Sequence, residues 1–260
     1  MENETIKKIA DFLVEAEKEK KEVPRITAEY PDLSVEEAYA IQEELVNIRL
    51  GQGHRMIGPK MGLTSHAKMK QLNVDEPIYG YIFDYMVTDE NVLHVNELIH
   101  PKVEAEIAFI LSSDLEGPDV TTEDVLASTE YVVPALEVID SRYQNFQFTL
   151  PDVIADNASS SRVFFGSVMK KPDEMELDLV GVTLAINGEL RDLGASAAVL
   201  DHPANSVAML ANMLSRKGKK LKAGQVILTG GITGAQLLSQ GDLVSAKWDG
   251  LGTVEFKVEQ

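Results

Sequence analysis

Three glutamates and one lysine are the residues of this chain whose types and spacing point most directly to chemistry. Glu137 lies within Tyr131–Ile139 (YVVPALEVI), where alternation leaves neither face of an extended strand polar. An ionised carboxylate is buried only when a cation or several hydrogen bonds meet it. We therefore expect Glu137 to be buried with a partner, which is either a metal ion or a cation such as Arg142 or Lys102.

A second segment supplies two more carboxylates. Glu104 and Glu106 stand two residues apart in KVEAEIAFI, so on a strand both side chains leave the same face. If the strand that carries Glu137 lies beside this one, the three acids converge, and such a set of oxygen ligands suits Mg²⁺ or Mn²⁺. We interpret the three glutamates as a metal site; the alternative for the Glu-x-Glu pair is a solvent-facing strand.

Lys60 is isolated among apolar and glycine residues in IGPKMGLT. A partly desolvated lysine can hold a carboxylate, donate a proton or stabilise an enolate. The alternative is a surface lysine beside a turn.

Two polar loops are further candidates. The run 155–162 (ADNASSSR) could surround a small anion with amides and hydroxyls, with Arg162 as a clamp, or it could be a capped surface turn. The run 228–234 (LTGGITG) could place backbone amides against a ligand, but it lacks the lysine and spacing of a phosphate loop.

Composition excludes several classes of protein. The formal charge is -18, and we find no basic run that would neutralise nucleic-acid phosphates and no apolar run that would span a bilayer. The absence of cysteine excludes disulfides and thiolate metal sites, and it is compatible with a reducing cytosol. No histidine spacing of a zinc site and no Gly-x-Ser-x-Gly motif is present. The chain does not begin like a signal peptide, so we expect a cytoplasmic protein.

The pattern of elements indicates a small helical amino-terminal region over residues 1–55 and a β-rich domain over 56–260. Helices are predicted from the apolar stripe of the first 22 residues, from the capping box at Ser34, from Thr121 or Thr122, and from Pro203. Turns at Asn187-Gly188 and around 249–252 predict two antiparallel hairpins. Strands are predicted near 56–63, 103–111, 131–139, 162–166, 179–187, 225–229, 243–248 and 253–257.

Six motifs together resemble the fumarylacetoacetate hydrolase superfamily, and within it the group of 2-keto-4-pentenoate hydratases and 4-oxalocrotonate decarboxylases. They are KMGLT (60–64), PIYG (77–80), HPKVEAEI (100–107), PALEVI (134–139), ADNASS (155–160) and LTGG (228–231). The resemblance implies an α+β fold, with a mixed, rolled β-sheet domain and a small helical amino-terminal part.

The resemblance also implies roles for individual residues. Glu104, Glu106 and Glu137 would bind Mg²⁺ or Mn²⁺, and Lys60 would be a catalytic residue in contact with the substrate. The ligand-facing loop of the family would place Asp156, Asn157, Ser160 and Ser161 at the substrate.

Three features favour the decarboxylase within this group. The segments 194–214 and 140–143, together with 229–233, are similar to the decarboxylase version. Hydratases of the group often carry Asp where this chain has Ile78, and that acid would help to activate water. The implied reaction is decarboxylation of 2-oxo-3-hexenedioate, a 2-oxo dicarboxylic acid, in a poorly hydrated pocket that includes Ile78.

Other functions remain open at this point. They are hydration of the dienoate on the same scaffold, hydrolysis of a carbon–carbon bond in acylpyruvates, and a non-catalytic role as the partner of a hydratase. The resemblance further implies a homo-oligomer and a complex with 2-keto-4-pentenoate hydratase, and no partner among nucleic acids or membranes.

Overall fold

The computed structural model describes residues 1–72, 74–88 and 90–260. Within these residues the chain forms α-helices and two curled sheets. The α-helices are α1 (Asn3–Glu19), α2 (Val35–Gly51), α3 (His66–Leu72), α4 (Thr122–Ala127), α5 (Leu150–Ala155) and α6 (Pro203–Ser215). The strands are β1 (Met56–Gly62), β2 (Ile78–Phe83), β3 (Val92–His94), β4 (Lys102–Leu111), β5 (Thr129–Ile139), β6 (Ser160–Phe165), β7 (Gly181–Ile186), β8 (Glu189–Ala195), β9 (Val226–Leu228), β10 (Gln236–Leu237), β11 (Leu243–Trp248) and β12 (Gly252–Glu259).

The amino-terminal helices form where their caps and apolar stripes predict them. The Ser34 hydroxyl accepts from the Glu37 amide while the Glu37 carboxylate accepts from the Ser34 amide, which satisfies two donors at the start of α2. The apolar face of α1 packs on α2, and α2 packs on α5. Gln42 of α2, which is fully buried, donates to the carbonyls of Tyr79 in β2 and Ile154 in α5. The helical region is thereby tied to the sheet that carries the predicted site.

The larger sheet has the strand order β2-β1-β9-β4-β5-β6 among the described residues, with β10 paired to β4. Its pairs are antiparallel except for β1 with β9, which are parallel. The short strand β9 lies between β1 and β4, so it brings the strand of Lys60 close to the strand of Glu106. The sheet is therefore mixed, as predicted.

The second sheet has the order β3-β12-β11-β7-β8 and turns one apolar face to the core. Along β12 buried and exposed residues alternate, as expected for a sheet with one solvated face. Phe256 of β12 stacks on Phe164 of β6 at 4.0 Å between ring centroids, where the two sheets meet. One continuous hydrophobic cluster includes both sheets and the amino-terminal helices.

The α+β fold with a mixed, rolled sheet is confirmed, whereas a domain boundary at residue 55 stays a prediction. The strand β2 was not predicted, because all six of its residues are buried and it shows no alternation of polar and apolar residues. The helix α5 was missed as well, although the capping box formed by Thr149 and Asp152 was the available signal. In the described part of the chain, no helix is both long and apolar enough to cross a lipid bilayer.

The expectation that no basic run exists needs a correction. The segment 216–222 (RKGKKLK) contains five basic residues. Its charges meet acids: Arg216 pairs with Glu76, Lys217 and Lys219 pair with Glu43, and Lys220 pairs with Asp114. The segment is therefore largely neutralised within the fold.

Candidate metal centre and adjoining cavity

The register of β4 against β5 brings the three predicted glutamates together. Glu104 lies directly opposite Glu137, and Glu106, two residues further along β4, lies opposite Ala135. Residues directly opposite in an antiparallel pair share a face, and so do residues two apart on one strand. The structure accordingly places one carboxylate oxygen of each glutamate within 4.8 Å of the others.

Two of these carboxylates are completely removed from solvent. Glu106 and Glu137 are 0% exposed. Glu106 Oε2 accepts a hydrogen bond from the Gly230 amide at 2.8 Å, whereas Glu106 Oε1 and both oxygens of Glu137 have no hydrogen-bond partner within the described residues. Buried carboxylate oxygens without partners are costly, so the protein has a ligand set that an additional cation would complete.

Lys60 supplies one positive charge at this cluster. Its side chain is buried, and Nζ lies 3.1 Å from Glu137 Oε1, a charge contact without the alignment of a hydrogen bond. The same ammonium donates to the Ala158 carbonyl at 3.0 Å. Lys60 is thus not a surface lysine, and it replaces Arg142 and Lys102, the predicted partners, as the cation beside Glu137.

The electrostatics of the cluster follow from burial. Burial raises the pKa of Glu106 well above its ordinary value, and the neighbouring charge of Glu137 raises it further. Burial also raises the pKa of Glu137, while the Lys60 ammonium acts in the opposite direction. Without a second cation, Glu106 has no ion-pair partner among the described side chains.

These residues fit a small divalent cation. The donors are carboxylate oxygens, which Mg²⁺ and Mn²⁺ prefer, and the two buried acids carry one more charge than Lys60 neutralises. The oxygens without partners in Glu106 and Glu137 belong to the same group that converges within 4.8 Å. Glu104, Glu106 and Glu137 are the residues that would hold the ion.

The predicted glycine loop after β9 lies directly against this cluster. A Cβ atom added to Gly231 would lie 2.5 Å from Glu104 Oε2, so no larger residue fits beside that carboxylate. The loop is fixed to β4 by hydrogen bonds between Ile232 N and the Ala105 carbonyl (2.8 Å) and between Ala105 N and Thr233 Oγ1 (3.0 Å). Its amides therefore position the candidate metal ligands.

A cavity of about 160 Å³ adjoins the cluster through Glu104. Lys60 and Glu104 are the charged residues among its described lining. The polar part of the wall also contains Thr64, Ser65, Thr149 and Ser159, and the apolar part contains Leu63, Ile78, Ile139, Phe146, Phe148, Leu150, Val153 and Ala158. The cavity is thus polar next to the glutamates and apolar elsewhere, and it includes the predicted residue Ile78.

The other predicted substrate-binding residues lie elsewhere. None of Asp156, Asn157, Ser160 and Ser161 belongs to the cavity lining, although all four are buried. Asn157 bonds through its side chain to the backbone of Tyr81, and the Ser160 hydroxyl donates to the Asn157 carbonyl at 2.8 Å. A role of these four side chains at the substrate stays a prediction.

Arg142 and Arg162, which lie near the loop 155–162, both bond to other groups of the protein. Arg142 forms a buried ion pair with Asp156 and also donates to the Asp156 carbonyl. Arg162, predicted as a clamp for an anion, instead pairs with Glu97 at 3.0 Å and donates to the carbonyl of its neighbour Ser161. The expected role of Arg162 at a ligand is not supported by its position.

Some lining residues were not identified from the sequence. Ser159 was passed over in favour of its neighbours, yet its buried hydroxyl lacks a hydrogen-bond partner within the described residues and faces the cavity. Phe146 and Phe148 alternate with polar residues in a loop, and this alternation was the available signal for two aromatic rings on one wall.

Comparisons with known proteins agree with this geometry. A family model described as the C-terminal part of fumarylacetoacetate (FAA) hydrolase matches residues 56–259. A 4-oxalocrotonate decarboxylase of Pseudomonas sp. (strain CF600) is 45% identical over 250 residues, which cover 96% of this chain and 95% of that protein. A 2-keto-4-pentenoate hydratase of Paraburkholderia xenovorans (strain LB400) is 39% identical over 251 residues, covering 96% of this chain and 93% of the hydratase.

A solved structure is also closely similar. The 4-oxalocrotonate decarboxylase from Pseudomonas putida G7, complexed with magnesium and adipate, superimposes with a TM-score of 0.97 at 42% identity over 99% of this chain and 98% of that one. The sequence match and the shared fold both extend over nearly the whole chain. This chain therefore belongs to the fumarylacetoacetate hydrolase family, in the group that contains 4-oxalocrotonate decarboxylases and 2-keto-4-pentenoate hydratases.

Proposed function

We propose that this chain decarboxylates 2-oxo-3-hexenedioate (4-oxalocrotonate) to CO₂ and 2-hydroxypenta-2,4-dienoate, in the meta-cleavage pathway of aromatic degradation. The observation that carries the proposal is the carboxylate cluster with Lys60 beside a cavity that is otherwise largely apolar. The structure of the Pseudomonas putida G7 enzyme contains adipate, a saturated diacid with the same six-carbon length as this substrate. A diacid of that length is thus a reasonable ligand for the same fold.

The substrate is oriented by the two ends of the cavity. Its 1-carboxylate and 2-oxo group face the glutamates and Lys60, while carbons 4 to 6 lie along Ile78 and the phenylalanines. A bound Mg²⁺ or Mn²⁺ supplies positive charge where the 2-oxo oxygen gains electron density during the reaction.

Lys60 provides the second cationic group. Its ammonium donates one hydrogen bond to the Ala158 carbonyl and lies 3.1 Å from Glu137 Oε1, and the side chain still lines the cavity. An N–H donor is thus available to the oxo acid end of the substrate. Lys60 holds that end and donates to its oxygen as negative charge develops.

The apolar part of the cavity promotes loss of CO₂. The bond between carbons 5 and 6 breaks, CO₂ leaves, and the electron pair moves through carbons 4 and 3 to the 2-oxo oxygen, which takes up a proton. An apolar wall solvates a carboxylate poorly and neutral CO₂ well, so it favours the change from one to the other. No covalent nucleophile is needed.

Hydration of the dienoate is the second candidate, because relatives with 39% identity are named hydratases. Water addition needs a base, and Glu104 is the acid among the described residues that line the cavity. Since Glu104 belongs to the candidate metal ligands, this observation favours the decarboxylase.

One assay tests the proposal directly. CO₂ release from 2-oxo-3-hexenedioate is measured with Mg²⁺ and with excess chelator, and the dienoate absorbance is followed in the same samples. We expect metal-dependent CO₂ release with accumulation of the dienoate. Consumption of added dienoate without any CO₂ release from the diacid would instead identify a hydratase.

We also infer that the chain forms a homo-oligomer, binds 2-keto-4-pentenoate hydratase and works in the cytoplasm. An unusual edge strand supports self-association. A bulge at Arg191 in β8 puts Leu190 opposite Ala185 and Leu193 opposite Thr183, so both leucines lie on the outer face of the second sheet. They are 58% and 62% exposed, and leucines on an open strand edge are typical of an interface.

Light scattering tests the assembly. We expect a mass well above the 28.6 kDa of one chain, and a larger species when the hydratase is added. Cell fractionation tests the location. If the protein is a monomer whose mass does not change when the hydratase is added, the inferred assembly is wrong, but the proposed reaction is not affected.

A further inference from the structure

An unusual turn of left-handed residues lies between α5 and β6. Asn157, Ala158 and Ser159 have φ values of 50°, 52° and 56°, and none of them is glycine. The left-handed conformation costs about 1–2 kcal/mol for residues such as Ala158 and Ser159, whereas asparagine adopts it more readily, so two such residues in succession are retained only where the surroundings fix them. Strain of this kind is concentrated at functional sites, and this turn contains both Ser159 of the cavity wall and the carbonyl that binds Lys60.

The side chain of Asn157 fixes the turn to the neighbouring strand. Its Oδ1 accepts from the Tyr81 amide at 2.8 Å and its Nδ2 donates to the Tyr81 carbonyl at 2.9 Å, so the carboxamide pairs with β2 as a backbone unit would. The strand approaches the turn closely: a Cβ atom added to Gly80 would lie 2.4 Å from the Asn157 carbonyl oxygen. Asn157 is 2% exposed and takes no part in the cavity wall.

The other side of the turn is fixed by Arg142. Its guanidinium donates to the carbonyls of Asp140 (2.8 Å), Asp156 and Ser160 (3.3 Å), and it pairs with the Asp156 carboxylate. These contacts hold the residues on both sides of the turn. Within the turn itself, the Asn157 side chain provides the link to β2 through Tyr81.

We propose that Asn157 is a positioning residue, which holds the turn 157–159 so that the Ala158 carbonyl fixes the Lys60 ammonium at the cavity. This inference rests on the proposed function only in the role of Lys60 in turnover. The chain of contacts is short: Tyr81 to Asn157, the peptide of Ala158, and then Lys60 Nζ at 3.0 Å. Loss of the first contact allows the turn to relax toward an ordinary backbone conformation and moves the carbonyl away from Lys60.

The chain offers a matched control for the loss of buried hydrogen bonds. Gln42 is also a fully buried amide that bonds to two backbone carbonyls, those of Tyr79 in β2 and Ile154 in α5, at 2.8 and 2.9 Å. Gln42→Ala removes contacts of the same kind between neighbouring elements, but it leaves the turn and Lys60 untouched. A purely structural role of Asn157 would make the two variants equivalent.

The test compares Asn157→Ala, Asn157→Gly and Gln42→Ala for turnover per folded molecule and for thermal unfolding. Displacement of a catalytic group by about 1 Å costs on the order of 100-fold, so we expect Asn157→Ala to lower kcat by about 30- to 100-fold, against less than about threefold for Gln42→Ala. Asn157→Gly should recover much of the lost stability, because glycine adopts left-handed φ freely, but it should not recover kcat. Equal turnover of Asn157→Ala and Gln42→Ala, or recovery of kcat in Asn157→Gly, would overturn the proposal.

A binding measurement separates this inference from the proposed function. Oxalate, which mimics the oxo acid end, is titrated calorimetrically into each variant in the presence of Mg²⁺, and this experiment needs no turnover. We expect oxalate affinity to fall about tenfold in Asn157→Ala, while Mg²⁺ affinity alone and Gln42→Ala stay near the wild type. If the wild type released no CO₂, the proposed function would fail, and the oxalate titration would still decide the role of Asn157; unchanged oxalate affinity in Asn157→Ala would reject it.

Discussion

Replacement of Glu106 by glutamine should stabilise the metal-free protein and abolish its stabilisation by Mg²⁺. Glu106 is fully buried, and one of its oxygens has no hydrogen-bond partner within the described residues. In Glu106→Gln the amide oxygen can keep the bond from the Gly230 amide, and the new N–H group can donate to a carboxylate oxygen of Glu137 that lacks a partner. The substitution replaces a carboxyl group whose ionised form is disfavoured by burial, and it satisfies two polar groups.

The magnitude follows from these contacts. Relief of an unsatisfied buried polar group is worth about 1–3 kcal/mol, which for a chain of this size raises Tm by about 2 to 10 °C. In the wild type, Mg²⁺ at 100 times its Kd adds about 2.7 kcal/mol to the free energy of unfolding, or about 5 to 10 °C. The variant should therefore be the more stable protein without the ion, and saturating Mg²⁺ should remove or reverse that difference.

Calorimetric unfolding in chelator and in saturating Mg²⁺ measures both effects. Glu130→Gln is the matched control, because Glu130 is exposed on the same strand as Glu137 and should change neither Tm nor the Mg²⁺ response. If metal-free Glu106→Gln were less stable than the wild type, or gained as much from Mg²⁺, the assignment of Glu106 as a buried metal ligand would be wrong.

Three further predictions concern other parts of the site and the fold. Lys60→Ala should lower CO₂ release at least about 100-fold without weakening Mg²⁺ binding in calorimetry; a parallel loss of Mg²⁺ affinity would argue against a catalytic role. Gly231→Ala should weaken Mg²⁺ about 10-fold or more, because its Cβ would displace the carboxylate of Glu104, whereas Gly181→Ala, with open space around it, should bind Mg²⁺ normally. The His202 ring accepts a hydrogen bond from the Ala204 amide at the start of α6, and burial lowers its pKa, so urea unfolding should show the free energy of unfolding decreasing as pH drops through the ordinary histidine pKa of about 6.5. The decrease should vanish in His202→Asn, because asparagine caps a helix and does not titrate.

The sequence by itself determined the features that depend on local periodicity. Glu104 and Glu106 share a face because side chains two apart on a strand do so, whatever lies nearby. The capping residue Ser34 and the proline at the first position of α6, Pro203, fixed the starts of α2 and α6 for the same kind of local reason. The apolar surroundings of Glu137 required a cation, because an isolated charge is not buried alone.

Only the tertiary structure decided which groups meet. Lys60 of β1 reaches Glu137 of β5 because β1 and β4 both pair with the short strand β9, and these pairings between segments far apart in the sequence are encoded by no local pattern. The loop 155–162 was predicted to face a ligand through Asp156, Asn157, Ser160 and Ser161. The left-handed turn instead places Ser159 in the cavity lining and leaves Asn157 bonded to the backbone of β2. Backbone conformation at three residues, stabilised by distant partners, selects which residue of a polar run lines the cavity, and composition cannot express that choice.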